Sequence, residues 1–240
     1  MEYRHLLPPA VGCMAIMALL SCFAGCKNNG AAGNSTDSIA ADSAAAADCS
    51  GVVDGHRVVD LALPSGTLWA ETNVGAESPA DAGNYYAWGE TETKDVYVWG
   101  NSKLYGEGDR SNNGLTAEED AATAVWGKAF RIPSREDFNE LHSECSWTWI
   151  SKADSKGNAV AGYEVKGSNG NSIFLPATGS RSRSDVYDQG TAGYYWSRNA
   201  ADNDEQACYL YFSSSEIDAE ACDGRYNGYA VRPVSLRSDE

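Results

Sequence analysis

The sequence predicts an α+β domain over residues 52–236, with a largely antiparallel twisted sheet, two helices and long loops. Short runs of β-branched and aromatic residues are separated by turn residues such as Gly, Asp and Asn, which is the pattern of locally paired strands. Two helix-start signals lie in the middle of this region, and the strand pattern resumes after Trp147. Strands, then helices, then strands again are typical of α+β domains.

The elements before residue 150 follow from local signals. DGHRVVDLALPSGTLWAETNVG, with its Asp-Gly and Pro-Ser-Gly turns, predicts the first hairpins, and NYYAWG and DVYVWG add two aromatic-rich strand candidates. The capping box Thr116-Ala-Glu-Glu119 opens an alanine-rich helix that runs to about residue 126. Ser134-Arg-Glu-Asp137 begins a second helix, to about residue 144, because Ser134 can accept a hydrogen bond from an orphan N–H of the first turn.

The C-terminal part predicts a series of strands: TWISK, GYEVKG, SIFLPAT, GYYWSRN, ACYLYF, EIDAEA and GYAVRPV. GYYWSRN and ACYLYF are predicted to be neighbouring strands, with Trp196 in the core. The segment between them, Ser197–Gln206, is then a polar loop carried by the sheet. Loops of this kind are where binding residues tend to lie.

The N-terminal 25 residues predict an export signal. A basic start is followed by an apolar stretch that is too short to span a bilayer. Phe23-Ala24-Gly25-Cys26 resembles a bacterial lipobox, in which cleavage before Cys26 leaves that thiol to be acylated. Cys22 is the alternative lipidation site, and an ordinary cleaved signal is the alternative without lipid. Because multiple acyl chains bind membranes far more tightly than one, the resemblance implies a membrane-anchored lipoprotein at the outer membrane or cell surface.

Residues 26–51 predict a flexible tether. They are rich in Ala, Ser, Asn and Asp and contain no aromatic residue, so they cannot bury enough apolar surface to offset their ordering entropy. About 25 such residues span roughly 25–30 Å. The triplets that contain Ser38 and Ser43 resemble the O-glycosylation acceptor of Bacteroidetes envelope proteins, and a plain solvated linker is the alternative. Residues 237–240 are predicted to be a tail.

Composition and charge limit the partners. All seven Trp lie in residues 52–236, a stretch long enough for one domain with its own core. The net charge is −16, and loss of residues 1–25 does not change it because they contain one acid and one base. So acidic a chain is not expected to bind nucleic acid or anionic lipid. Sugars, proteins and cations remain compatible with it.

Four cysteines remain beside the lipidation site in a disulfide-permissive compartment. If residues 207–212 and 216–221 pair around the three serines at 213–215, Cys208 lies opposite Glu220 and Cys222 lies on the diagonal. A local bulge could then bring the two sulfurs together in a disulfide. Cys49 and Cys145 are expected to be free thiols. No metal site is predicted, since the chain lacks a Cys-x-x-Cys pair.

Six ordered motifs resemble one family across residues 52–234: VDLALPSGTLWAETNVGA, YYAWGETET, AFRIPSREDFNELHSECSWTW, NSIFLPATG, GYYWSRN and GRYNGYAVRPV. They are similar to the Fibrobacter succinogenes major paralogous domain, a cell-envelope family that resembles the C-type lectin-like fold of formylglycine-generating enzymes. The resemblance implies that fold and an envelope location, and it implies no established activity. Within it, Glu90, Arg131 and Arg232 could be ligands, but structural anchoring by charge-assisted hydrogen bonds is favoured.

No enzyme activity and no cofactor are expected. Cys208 and Cys222 stand in QACYLYF and EACDGRY, which do not resemble the copper-binding cysteine motif of formylglycine-generating enzymes. The chain also lacks a Gly-x-Ser-x-Gly elbow, and only His56 and His142 remain after removal of the signal. A Ser-His-Asp hydrolase is therefore not predicted.

The function that the sequence favours is binding of a glycan or a protein partner by the loops of a non-catalytic domain. The loop before Gln206 carries five oxygen-bearing side chains that could hold a ligand or cation: Asn199, Asp202, Asn203, Asp204 and Glu205. It lacks the glycine turn of a known calcium loop, so a solvated loop is the alternative. A structural or assembly component of the envelope without a small ligand is the rival function, and an enzyme stands third.

Overall fold

The protein was analysed as a computed structural model that describes residues 50–104, 114–203 and 205–236. It is sheet-rich, with mostly antiparallel strands and two α-helices among these residues, which confirms the α+β class. The predicted site residues Cys22, Cys26, Ser38, Ser43 and Asp204 lie outside the described residues, as do nearly all of the predicted tether and the C-terminal tail. Among the described residues no helix is long and apolar enough to cross a membrane.

The elements follow in chain order. The strands are β1 (Ser50–Val53), β2 (His56–Asp60), β3 (Thr67–Ala70), β4 (Tyr85–Tyr86), β5 (Ser146–Ala153), β6 (Ala159–Lys166), β7 (Ser172–Pro176), β8 (Ser180–Ser182), β9 (Asp185–Tyr187), β10 (Ala192–Ala200), β11 (Gln206–Ser213), β12 (Glu216–Gly224), β13 (Tyr229–Ala230) and β14 (Val234–Leu236). The helices are α1 (Ala121–Trp126) and α2 (Arg135–Glu144). A short 3-10 turn spans Trp99–Asn101.

Four sheets result. One has the order β1-β2-β3-β14 and so brings both ends of the domain together; the second has the order β12-β11-β10-β13-β4. β5-β6-β7 form a third sheet and β8-β9 a two-stranded ribbon. One strand pair, β10 with β13, is parallel. The first strand begins at Ser50, two residues inside the predicted tether, because Ser50 and Gly51 already pair with Val59 and Val58.

The helices differ in how well their starts were predicted. α2 is as expected: the Ser134 side chain accepts a hydrogen bond from the Asp137 N–H, and the Asp137 carboxylate accepts one from the Ser134 N–H. The predicted start of α1 was wrong. Glu119 does accept from the Thr116 N–H, but the helix begins at residue 121 with Asp120 as its cap. The buried Asp120 accepts a hydrogen bond from the Thr123 N–H, so the helix is capped at Asp120 rather than at Thr116.

Two sequence predictions about strands were wrong. DVYVWG contributes only an isolated bridge at Tyr97 and then the 3-10 turn, so it is not a strand of a sheet. The β11–β12 hairpin turns at two residues rather than three, since Ser213 pairs with Glu216, and a β-bulge follows between Tyr209 and Tyr211. These two changes place Cys208 directly opposite Cys222 instead of Glu220.

The second sheet separates two hydrophobic clusters. Tyr195, Leu210 and Phe212 lie in the cluster that also contains Phe138 and Leu141 of α2. Trp196 lies in the other cluster with Trp88 and Tyr229, and it is buried as predicted. α2 therefore covers one face of β10–β12. Side chains on the opposite face of these strands pack against the cluster that contains Trp196, and several of them are partly exposed.

Candidate functional site

Half-buried tyrosines lie on one face of β10 and β11, opposite the face that packs against α2. In β11 the side chains alternate: Cys208, Leu210 and Phe212 are buried, whereas Tyr209 and Tyr211 are partly exposed. Tyr194 of β10 pairs directly with Tyr211 in register, so the two rings share a face. We call Tyr194, Tyr209 and Tyr211 the tyrosine face.

The rings of the tyrosine face are held by contacts with one another and with buried rings below. The Tyr194 centroid lies 5.3 Å from that of Tyr211 and 5.9 Å from that of Tyr209. The buried Tyr229 ring lies 4.8 Å from Tyr209 and stacks on Trp196 at 4.2 Å. Such aromatic packing fixes the orientation of the exposed ring surfaces before any ligand arrives.

Carboxylates surround these rings. Tyr194 Oη donates to Asp188 Oδ2 at 2.9 Å, and Tyr229 Oη donates to Asp223 Oδ2 at 2.6 Å. Asp218 pairs with Tyr211 in register and is exposed. Burial, followed by the nearby Asp223 carboxylate, raises the pKa of Tyr209 to about 12. The tyrosine hydroxyl therefore stays protonated at neutral pH and can donate, while the carboxylates can accept.

A cleft of about 400 Å³ adjoins the tyrosine face. We call it the Trp99 cleft; its lining is Trp99, Glu205, Gln206, Asp223, Gly224 and Tyr226. The Trp99 and Tyr226 rings meet edge to face at 5.7 Å. Asp223 joins the two surfaces, because this residue lines the cleft and its carboxylate accepts a hydrogen bond from the hydroxyl of Tyr229 beneath the tyrosine face.

Two of the four described residues that were predicted to bind a ligand, Asn199 and Asn203, hold the fold instead. Asn199 lies in β10, not in a loop, and its Oδ1 accepts from the Arg135 N–H at the start of α2. Asn203 Oδ1 accepts from the backbone N–H groups of Glu205 and Gln206. Asp202 is exposed, and Glu205 lines the Trp99 cleft. Of these predicted residues that the structure describes, Glu205 alone lines this cleft.

Buried Arg225 supports this loop from below, and the sequence analysis missed it. Its Nε donates to the Gln206 carbonyl at 3.1 Å and its Nη2 to the Asn203 carbonyl at 3.1 Å. The guanidinium also lies over the Trp88 ring, 4.9 Å from the centroid. One arginine thus ties the edge of the Trp99 cleft to the core. No periodic pattern around GRYNG indicates this position, whereas the alternation in ACYLYF could have shown that Tyr209 and Tyr211 share a face.

The three predicted anchors make the contacts expected of structural residues. Glu90 Oε1 accepts from Lys94 Nζ and from the Lys103 N–H, both at 2.8 Å. Arg131 is paired with Asp137, with Nη1 to Oδ2 at 2.6 Å and Nη2 to Oδ1 at 3.1 Å. Arg232 is fully buried and is bonded to Asn73 and to three backbone carbonyls.

The Arg131–Asp137 pair predicts an acid-sensitive contribution to stability. Burial alone would raise the pKa of Asp137, but the hydrogen bonds from Arg131 and Ser134 outweigh it and lower the pKa below 3.8. This contribution is present above the unfolded-state pKa and is lost as the pH falls through the folded-state pKa. Asp137→Asn should cost about 2–3 kcal/mol at pH 7 in urea unfolding, and the difference from wild type should shrink below about pH 4.

The exposed Glu136 of the same first turn offers a matched control. Glu136→Gln should cost less than about 0.5 kcal/mol at either pH, since it removes no buried partner. A cost of Asp137→Asn that stays constant down to pH 2 would contradict a charged, hydrogen-bonded Asp137.

Two larger cavities fit a ligand less well. A cleft of about 610 Å³ is lined by residues 75–83 and 154–160, among others. Two of its carboxylates hold the lining loops: Asp81 accepts from the N–H groups of Ser78 and Ser155, and Asp154 from that of Asn158. A groove of about 700 Å³ near Val53 and Leu236 is mainly apolar. Neither lining contains a Trp or Tyr ring.

Neither histidine is paired with a nucleophile among the contacts of the described residues. His56 stacks on Trp126, with ring centroids 3.9 Å apart, and the exposed His142 meets the edge of Trp147. Within residues 50–104, 114–203 and 205–236, no group of three or more His, Cys, Asp or Glu side chains is arranged to hold a metal ion.

Comparison with known proteins yields no relative. No family model matches the chain, and neither a curated protein nor a solved structure matches it. The candidate site therefore stands on its own geometry: oriented tyrosine rings, a rim of carboxylates and an adjoining cleft with a tryptophan.

Proposed function

We propose that this chain is a lipid-anchored lipoprotein of the outer membrane or cell surface whose domain binds a glycan at the tyrosine face and the Trp99 cleft. The proposal includes membership in the Fibrobacter succinogenes major paralogous domain family and its C-type lectin-like fold. The observation that carries the binding function is the combination of partly exposed aromatic rings with carboxylates at their edges. The domain acts without a cofactor and without catalysis in this proposal.

The chemistry of a sugar ring matches this combination. A pyranose presents an apolar surface of C–H groups, which packs on an aromatic ring, and a rim of hydroxyl groups that need hydrogen-bond acceptors. Tyr211, Tyr194 and Trp99 supply rings, while Asp218, Asp223 and Glu205 supply acceptors. Each carboxylate oxygen has more than one lone pair, so Asp218 and Asp223 can accept from a sugar in addition to the backbone N–H groups of Glu220 and Gly224. Because hydrogen bonds to a carboxylate are stronger than those to a neutral acceptor, they would fix the sugar in one orientation.

The charge of the site restricts the glycan. The carboxylates Asp188, Asp218 and Asp223 stand around the tyrosine face, and Glu205 stands in the cleft. An uronic acid or sulfated sugar would place a like charge next to them, at a cost that salt screens only in part. Neutral glycans are therefore the expected class, and acidic polysaccharides are expected not to bind.

Pull-down of neutral and acidic polysaccharides, followed by a glycan array, tests this function with the chain lacking residues 1–25. Trp99→Ala and Tyr211→Ala should each weaken binding of the selected glycan about tenfold, which corresponds to about 1.4 kcal/mol. Tyr211→Phe keeps the ring and should stay within about threefold of wild type, which is under 1 kcal/mol. Binding that survives both alanine substitutions would contradict the proposed site. The rival assembly function is favoured if no glycan binds while crosslinking in cells repeatedly captures one envelope protein.

A further inference from the structure

The β11–β12 hairpin places two cysteines side by side. Cys208 and Cys222 are direct partners in register because β12 carries two residues, Ala219 and Glu220, opposite the single Leu210. Directly opposite residues of antiparallel strands have Cα atoms about 4.5–5.5 Å apart, which is within the range that a disulfide requires. Both are thiols in the structure, with their sulfur atoms 2.8 Å apart.

We infer that Cys208 and Cys222 are joined by a disulfide bond in the exported protein, and that this bond is a permanent part of the fold. The third described cysteine, Cys145, follows the C-terminus of α2 and is partly buried among apolar neighbours. The bulge is what brings the pair into register. Without the extra residue in β12, the two side chains would be offset along the strands.

The two thiols differ in solvent exposure, and this difference determines which of them reacts first when the bond forms. Cys222 is exposed, whereas Cys208 is buried near the Ala200 carbonyl. A disulfide-bearing thiol oxidoreductase of the envelope is the oxidant by chemical class. The Cys222 thiolate attacks the disulfide of this oxidoreductase, which forms a mixed disulfide and releases one oxidoreductase thiolate. The Cys208 sulfur then attacks the Cys222 sulfur and releases the second oxidoreductase thiolate. The new S–S bond forms, two protons leave the cysteines, and the oxidoreductase takes up two electrons as a dithiol.

The same asymmetry makes the bond resistant to reduction. A reductant can reach the exposed Cys222 sulfur, and its attack must expel the Cys208 thiolate. Burial raises the pKa of the Cys208 thiol above its ordinary value. A thiolate of high pKa is a poor leaving group, so the exchange is slow. The bond therefore fits a structural role rather than a redox switch.

The bond would act on the strands that carry the candidate site. Cys208 precedes Tyr209, and Cys222 precedes Asp223, whose carboxylate binds Tyr229. Joining β11 to β12 at this point keeps Asp223 and the tyrosine face together. This inference rests on export of the chain and is independent of whether a glycan binds.

Peptide mapping of the full-length lipoprotein, purified from envelopes, tests the bond. The protein is alkylated in denaturant without reductant and digested with trypsin, which leaves Cys208 and Cys222 together in the peptide of residues 199–225. That peptide should be unalkylated and lighter by two hydrogen atoms than its reduced form. Cys145, in the peptide of residues 136–152, should be alkylated and serves as the internal control. Alkylation at both Cys208 and Cys222, or a bond from either to another cysteine, would overturn the inference.

Thermal unfolding supplies a second readout. Removal of a bond that closes about 15 residues should lower the melting temperature by roughly 6–12 °C in a domain of this size. Cys222→Ser should show this loss without reductant and should then be insensitive to reductant, whereas Cys145→Ser should keep the reductant-dependent shift of wild type. An equal melting temperature of wild type before and after complete reduction would contradict a stabilising bond.

Discussion

Replacement of Arg232 by methionine should lower the free energy of unfolding by about 3–5 kcal/mol. Arg232 is fully buried, and its Nε donates to Asn73 Oδ1 at 2.7 Å. Its Nη1 donates to the carbonyls of Ala70 and Glu71, at 3.1 and 3.0 Å, and its Nη2 to the Phe174 carbonyl at 2.9 Å. Methionine fills similar space but removes the arginine donors from these four acceptors, and a buried acceptor that is left unpaired costs about 1–3 kcal/mol.

The charge on Arg232 survives its burial. Burial lowers the pKa of Arg232 to about 10, so the guanidinium stays protonated at neutral pH. Urea unfolding at pH 7 measures the loss. Arg57→Met is the matched control, because the Arg57–Glu71 ion pair lies at the surface, with Arg57 58% exposed, and should be worth less than about 1 kcal/mol. If Arg232→Met costs no more than Arg57→Met, the interpretation of Arg232 as a structural anchor is wrong.

Replacement of Trp196 by alanine should cost about 3–5 kcal/mol, because it opens a large cavity in the core. The Trp196 indole is 1% exposed, its Nε1 donates to the Tyr86 carbonyl at 2.8 Å, and its ring stacks on Tyr229. Loss of the ring would also remove the support of Tyr209, which packs against it. Glycan binding should therefore fall together with stability.

Trp99→Ala, unlike Trp196→Ala, should weaken glycan binding without a large loss of stability. Trp99 is partly exposed and lines the cleft, so its loss should change the free energy of unfolding by less than about 1 kcal/mol while glycan affinity falls. Urea unfolding and glycan titration on the same two variants distinguish a tryptophan of the core from one of the site. Equal destabilisation by both substitutions would contradict this assignment.

Local signals predicted the parts of the fold that depend on few residues. The start of α2 follows from Ser134 and Asp137 because both partners of the capping box lie within one turn. The β10–β11 pairing follows from two adjacent apolar runs. The pairing of β14 with β3, however, joins residues at opposite ends of the domain, and the parallel contact between Tyr195 and Ala230 depends on tertiary packing. Neither of these two pairings is indicated by a local sequence pattern.

The candidate site was harder to predict than the fold, for a specific reason. A period-2 alternation shows that Tyr209 and Tyr211 share a face, but not whether a helix covers that face. α2 packs on the opposite side, with Leu210 and Phe212, and Tyr209 and Tyr211 are partly exposed. The composition of the polar loop predicted ligand binding there. Asn199 lies in β10 and Asn203 in the loop, and both accept hydrogen bonds from backbone N–H groups, which composition cannot reveal.

The most direct test of the central claim is titration of the glycan selected by pull-down against the wild-type domain and the double variant Trp99→Ala/Tyr211→Ala. Val125→Ala is the control, because Val125 is 50% exposed on α1 and belongs neither to the tyrosine face nor to the Trp99 cleft. We predict that the double variant loses about 100-fold in affinity, near 2.8 kcal/mol, while the control stays within about threefold of wild type. Unchanged affinity in a folded double variant would contradict glycan binding at the tyrosine face and the Trp99 cleft.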